Sequence, residues 1–273
     1  MVVFKEYNIV AIKGVIIGDI ISSQYEFYKP IGFDNKTAIL LSENCKFTDD
    51  TVLSLATKYA IQHNINFTEA YRFFGLKYRT AGYGNSFCEW LDSNANEPYS
   101  SYGNGSAMRV SFVADYFDSV KDVVEKAREA AECTHNHPEG IKGAIVTEVC
   151  IWIAKHGGSK EDILDYAIYQ YPKDKYAYSP EYTLDEIRET YHWNDTCQGS
   201  VPAAIRCLYE AETYMGFIRN VLSLKCDADT LCAISGGIAE ELFDNKRDEI
   251  LQHGDQIIRK YLDDYLIKIF LEI

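Results

Sequence analysis

Apolar residues recur along this chain at helical rather than strand spacing. Over residues 49–62, Val52, Leu55, Ala56 and Tyr59 follow the i, i+3, i+4, i+7 series of an amphipathic helix. Ser119 is placed to cap residues 119–132, where Val120, Val123, Val124, Ala127 and Ala131 share one face. Pro138 suits the first turn of the next helix, which Gly157-Gly158 ends after Lys155 and His156. Ser159 then caps a helix through Tyr171, stopped by Pro172. Residues 9–21 are apolar except for Lys13 and Asp19 and predict a buried helix, in which Gly14 and Gly18 allow a neighbour to approach closely. Residues 228–243 carry a stripe of Leu231, Ile234, Ile238 and Leu242 amid Ala233, Ser235, Gly236, Gly237 and Ala239, the pattern of a helix packed tightly at the centre. A last helix is expected over 246–270. Strand signals are few, and no repeat or Pro/Gly linker divides the chain. The expectation is one all-α domain over residues 1–273.

Polar, glycine-containing segments separate these helices at 22–50, 80–106, 133–138, 172–200 and 220–227, and in a helical protein such segments carry chemistry. The net charge of −14 works against phosphate backbones, so a broad nucleic-acid surface is excluded while a local pocket for a phosphate-bearing ligand is not. The eight cysteines form no CxxC pair, which removes zinc ribbons and thioredoxin-type sites. Several, such as Cys150, sit in apolar stretches as small buried hydrophobes of a reducing cytosol. The first residues lack the order of a signal peptide, and 9–21 is too short to span a bilayer. A cytoplasmic protein without membrane contact is expected, acting as a monomer.

Two motifs place hard oxygen donors at helix starts: Thr48-Asp49-Asp50-Thr51 and Asp227-Ala228-Asp229-Thr230. Either alone is an ordinary cap, since Thr or Asp satisfies free N–H groups and acids complement the helix dipole. Together they suit a cation. If both starts meet, each like-charge contact near 4 Å costs about 4 kcal/mol at an effective dielectric of 20. A helix end returns only about 0.3–2 kcal/mol per acid. All-oxygen ligands favour magnesium, manganese or calcium over zinc. An EF-hand from Asp227 fails, because Leu231 and Cys232 occupy its fifth and sixth positions. The aspartate-rich motif of isoprenoid synthases fails as well, with Leu53 four residues after Asp49.

Gly103-Asn104-Gly105-Ser106-Ala107-Met108-Arg109 is a glycine turn entering a helix, a natural anion cradle, although such a turn is most often only a turn. Arg109 is read equally as a ligand group or as a core ion-pair partner. In Thr134-His135-Asn136-His137-Pro138, His137 reads as a cap for the helix at Pro138, and His135 as the better candidate to bind a ligand.

These segments, in this order, resemble the ADP-ribosylglycohydrolases. The resemblance rests on Gly18-Asp19 with Glu26-Phe27, on the two aspartate motifs, on Gly103–Arg109 and on Thr134–Pro138, with Cys197-Gln198-Gly199-Ser200-Val201-Pro202 similar to bacterial members. It implies an all-α fold with a central cleft holding two magnesium ions, manganese being an alternative. One ion would be held by Thr48, Asp49, Asp50 and Asp229. The other would be held by Asp227, Asp229 and Thr230, with Glu26 as a ligand that substrate displaces. Gly103, Asn104, Gly105, Ser106, Ala107, Met108 and Arg109 would cradle the diphosphate, helped by His135. The implied activity is hydrolysis of an ADP-ribosylated protein or small conjugate: metal coordination orients the ribose hydroxyls and acidifies a water that attacks the anomeric carbon, with Asp49 or Glu26 accepting its proton. The alternative is a non-catalytic relative that binds ADP-ribose or serves a structural role; such a relative should lose metal ligands, and none is lost. One departure stands out: Lys225-Cys226 replace the two glycines usual before the second aspartate motif.

Overall fold

The computed structural model describes residues 12–93, 95–243 and 248–272. Its helices are α1 (Ile12–Ser22), α2 (Asp49–His63), α3 (Phe67–Lys77), α4 (Asn85–Asp92), α5 (Gly105–Met108), α6 (Phe112–Tyr116), α7 (Val120–Glu132) and α8 (Pro138–Lys155). They continue as α9 (Lys160–Gln170), α10 (Leu184–Thr190), α11 (Cys197–Tyr209), α12 (Tyr214–Leu222), α13 (Ala228–Leu242), α14 (Glu249–Gln252), α15 (Gly254–Tyr261) and α16 (Asp264–Leu271). Among the described residues the only extended pairing is a bridge between Gly103 and Thr196, and the fold is all-α. No described helix is long and apolar enough to cross a membrane.

The small-residue helix α13 forms the axis, buried at every position from Ala228 to Glu240. It packs against α1, α8, α11 and α12. Its tightest partner is α1, and glycine makes that contact possible. A Cβ added to Gly14 would stand 2.1 Å from the Gly236 carbonyl oxygen, and one added to Gly18 would stand 2.8 Å from that of Cys232. The N–H of Gly14 donates to Glu240 Oε2 at 2.5 Å, closing the far end of the same pair. This packing draws the C-terminal end of α1 alongside the N-terminal end of α13, and α2 joins them there.

Three expectations need correction. The last predicted helix is broken: within 248–272 it comprises α14, α15 and α16. Asp248 starts α14 by accepting from the N–H groups of Ile250 and Leu251, and Asp263 makes the second break by accepting from those of Tyr265 and Leu266; the first break falls at His253 without a side-chain cap. The predicted residues 246–247 lie outside the described residues, as do 9–11 at the start of the first predicted helix. Ser119 precedes α7, but its hydroxyl accepts no capping hydrogen bond, and Val120 is exposed rather than packed.

Candidate metal and ligand site

The three helix ends meet around one buried acid. Asp19, in the last turns of α1, is fully buried and accepts four hydrogen bonds from the start of α2. Its Oδ2 takes Thr48 N–H at 2.9 Å, Thr51 N–H at 3.1 Å and Thr51 Oγ1 at 2.5 Å, while Oδ1 takes Thr48 Oγ1 at 2.8 Å. Three of these donors crowd Oδ2 and one meets Oδ1, so Asp19 is engaged chiefly by the start of α2. It supplies the acceptors that the first N–H groups of α2 need and pins that helix start to α1. Burial pushes its carboxyl up to about 6, opposed by these four donors. In the sequence Asp19 stands out as a lone acid inside an apolar helix and within the Gly18-Asp19 pair of the resemblance, but neither signal gave it a role.

With Asp19 holding the helix start, Asp50 turns inward. Its Oδ2 accepts from Thr230 Oγ1 at 3.4 Å, which joins the two aspartate motifs directly, and lies 3.1 Å from Thr48 Oγ1, whose single hydrogen goes to the nearer Asp19. Asp49 turns the other way: its N–H donates to the Ala81 carbonyl, and a Cβ at Gly82 would stand 3.3 Å from its Oδ1. Asp227 occupies the N-cap position of α13 yet makes no capping bond with its side chain. Its Oδ2 instead accepts from Asn104 Nδ2 at 2.8 Å, tying the second aspartate motif to the glycine loop. The simple capping reading therefore fails for Asp227 and accounts only for Thr48, whose hydroxyl accepts from Asp50 N–H at 3.3 Å.

Two groups of carboxylates have ligand atoms within 4.8 Å of one another: Asp19, Asp50 and Asp229, and Glu26, Asp227 and Asp229. They share Asp229. Asp50 Oδ1 and Asp229 Oδ1 are buried and have no hydrogen-bond partner among the described residues. Such orphaned acceptors cost about 1–3 kcal/mol each, more for charged groups. Burial first, and then the neighbouring acids, pushes the carboxyls of Asp49, Asp50, Asp227 and Asp229 above the usual range and that of Glu26 to about 7. Burial and mutual repulsion both work against full ionisation of the cluster. A divalent cation offers both what the orphaned oxygens lack and the charge that would return these groups to carboxylates. The donor set fits magnesium or manganese.

A cleft of about 420 Å³ opens above these acids. Glu26, Asp49, Asp50, Asp227, Asp229 and Thr230 line its floor, and Gly103, Asn104, Gly105, Met108, Arg109 and His135 line one wall. Three predicted residues do not reach it: Thr48 faces Asp19 and Asp50, Ser106 Oγ donates to the Gly140 carbonyl at 2.8 Å, and Ala107 is fully buried behind the loop. Arg109 is the largest fully buried side chain. It has no acidic partner; its guanidinium lies 4.1 Å from the centre of the Tyr71 ring and donates to the Ala130 carbonyl and to Thr134 Oγ1. His137 accepts from Glu139 N–H and caps α8, as its position suggests.

At the mouth, Phe27 and Trp193 stack with centroids 5.4 Å apart, both largely exposed. Neither aromatic was singled out by spacing, because they come from irregular segments far apart in sequence. Lys225 is exposed, whereas Cys226 is buried with its thiol on the Val221 carbonyl, and neither lines the cleft. The departure from the usual glycines thus leaves the walls unchanged.

The sequence profile of the ADP-ribosylglycohydrolase family matches residues 9–239. A protein of Acanthamoeba polyphaga mimivirus named as an ADP-ribosyl glycohydrolase is 25% identical over 285 residues, 86% of each chain. ADP-ribosylhydrolase ARH3 of Homo sapiens is 28% identical over 182 residues, 55% of this chain and 50% of that protein. The mouse protein is 27% identical over the same length, so the match spans about half of these vertebrate relatives. A solved ADP-ribosylglycohydrolase-related protein complex shares the fold, with a TM-score of 0.67 at 18% identity over 97% of this chain and 98% of that one. The chain belongs to the ADP-ribosylglycohydrolase family of hydrolases.

Proposed function

We propose that this protein uses magnesium or manganese to hydrolyse the bond between ADP-ribose and an acceptor, either a modified protein or a small conjugate. The observation that carries the reading is the pair of carboxylate groups sharing Asp229 on the cleft floor, with Asp50 Oδ1 and Asp229 Oδ1 left without partners. Asp49, Asp50 and Asp229 would hold one ion, with Thr48 behind them fixing the helix start, and Glu26, Asp227, Asp229 and Thr230 the other. Bound cations supply positive charge that orients the ribose hydroxyls and makes a water more acidic.

The chain's own groups do the rest. The glycine loop presents backbone to the diphosphate without side chains in the way, and His135 offers a ring nitrogen beside it. Asn104 holds Asp227 toward the ribose, so loop and acids keep their register. As the anomeric bond breaks, the ribose gains oxocarbenium character, which the carboxylate-rich floor favours. Glu26 and Asp49 both line the cleft, and either would take the proton of the attacking water. The eight free cysteines suit a reducing cytosol, where we place the protein as a monomer.

The test is release of ADP-ribose from a panel of defined ADP-ribosylated acceptors, with added magnesium or manganese and after chelation. Turnover that requires metal supports the reading, and the preferred acceptor names the linkage. Undiminished turnover in a metal-free preparation overturns the two-metal site; ADP-ribose binding with no turnover on any acceptor favours the non-catalytic relative.

A further inference from the structure

We propose that Arg109 is a positioning residue which, through the hydroxyl of Thr134, fixes His135 as the tautomer that carries its proton on Nε2 and aims it at the Gly103–Gly105 loop. Arg109 Nη2 lies 2.7 Å from Thr134 Oγ1, and Thr134 Oγ1 lies 2.7 Å from His135 Nδ1. A guanidinium only donates, so Thr134 must accept from it. A hydroxyl has one hydrogen and two lone pairs. With one lone pair filled by Arg109, the hydrogen is free for an acceptor, and of the two in reach, Nδ1 and the Tyr99 oxygen, the phenol has a hydrogen of its own to give while Nδ1 lies 2.7 Å away. The phenol of Tyr99 also lies against Thr134, and burial keeps it protonated, so it can donate to the second lone pair. Nδ1 therefore accepts, and in a neutral ring the proton sits on Nε2.

Two further features agree. Burial, with the Arg109 charge adding to it, lowers the basicity of His135 well below its ordinary value, so the ring stays neutral. Nε2 makes no hydrogen bond among the described residues. It stands 3.5 Å and 3.4 Å from where Cβ atoms would sit on Gly103 and Gly105. The imidazole edge thus lies alongside the loop, at ordinary van der Waals distance from both positions. Arg109 itself is fully buried under that loop, so its positive charge reaches the cleft indirectly, as a fixed N–H donor for an anion. This deepens the proposed function, since on that reading the anion is the diphosphate of ADP-ribose.

The experiment is long-range proton–nitrogen correlation spectroscopy on the full chain with nitrogen-15 histidine, free of ligand. The wild type should show His135 with Nε2 protonated and Nδ1 unprotonated, near neutral pH. Thr134→Val should lose that single pattern and mix the tautomers, and Thr134→Ser should restore it. Arg109→Met should mix them too; because a buried arginine is replaced, its folding is checked first, and the Thr134 pair decides if it does not fold. ADP-ribose titrations follow the same variants: affinity should fall about tenfold in Thr134→Val, about 1.4 kcal/mol, with kcat at saturation less affected. An Nδ1-protonated ring in the wild type, a doubly protonated ring, or an unchanged spectrum in Thr134→Val would each overturn the assignment. If the wild type shows the Nε2 tautomer yet binds no ADP-ribose, the assignment of the ring stands and the proposed function fails.

Discussion

Replacing Asp19 separates a scaffold from a metal ligand, because the two roles predict opposite outcomes for the same change. Asp19→Asn keeps the shape. Its amide oxygen can stand in the Oδ2 position and keep the bonds from Thr48 N–H, Thr51 N–H and Thr51 Oγ1. The amide nitrogen then meets Thr48 Oγ1, which reverses and sends its hydrogen to Asp50 Oδ2 at 3.1 Å. What is lost is charge assistance, about 1 kcal/mol for bonds of this kind. Part of that returns as relief of the repulsion that Asp19 imposes on Asp49 and Asp50. Asp19→Ala leaves both backbone N–H groups at the start of α2 buried without acceptors. At about 1–3 kcal/mol each, the two cost roughly 2–6 kcal/mol, or about 4–20 °C in Tm for a chain of this size. Chelated protein should therefore melt close to wild type for Asp19→Asn and far below it for Asp19→Ala. Four donors from the start of α2 engage Asp19 as a scaffold, so calorimetric magnesium affinity of Asp19→Asn should stay within tenfold of wild type. A loss of metal binding in Asp19→Asn with an unchanged melting curve would refute this and make Asp19 a ligand.

Asp229→Asn should remove more activity than any other single ligand change and weaken metal affinity at both positions, because both carboxylate groups share it; near-normal rates alongside an inactive Asp50→Asn would rule out the shared role. Changing Lys225 and Cys226 together to glycine should leave metal affinity intact and move KM less than tenfold, since Lys225 is exposed and Cys226 lies off the cleft; a larger change in steady-state kinetics would put one of these side chains on the ligand. Glu240 tests the α1–α13 pair by pH: burial pushes its carboxyl from 4.5 to about 8, so between those values the unfolded chain loses a proton that the fold retains, and stability falls as pH rises. Glu240→Gln removes that term, so denaturant melts should show the variant gaining on wild type by about 1.4 kcal/mol per pH unit across the window; parallel pH profiles would mean that the carboxyl ionises freely in the fold.

The fold was legible where periodicity and small residues acted together. Gly14 and Gly18 in one apolar segment announced a close neighbour and the small residues of 228–243 a tightly packed central helix; the structure makes them partners, as α1 against α13, a pairing that spacing does not name. The capping signals at Ser159 and Pro138 also placed real helix starts. The C-terminal region misled because apolar spacing continues through it while Asp248 and Asp263 hold N–H groups that a continuous helix would need. Period alone does not reveal which aspartate side chain competes with the helix for its own backbone.

The site divides along a different line. Acids at two helix starts could be read as partners because like charges gathered at that density need a cation, whatever the fold. Their orientation could not be read, since consecutive aspartates at a helix start diverge and the backbone decides which one turns inward. Here Asp19 decides it. By taking two backbone N–H groups and two hydroxyls of Thr48 and Thr51, it relieves the aspartates of capping α2 and leaves Asp50 free to face Asp229 and Thr230. Arg109 is the counterpart on the other wall: the motif marks it as a cation near phosphate, yet burial spends its donors on Ala130 and Thr134. In both cases the residue facing the cleft was recognisable by type, while the contacts that hold it in place come from a different helix or loop. Such contacts are invisible to spacing because they are set by helix packing, and they become visible only when every buried donor is matched to an acceptor.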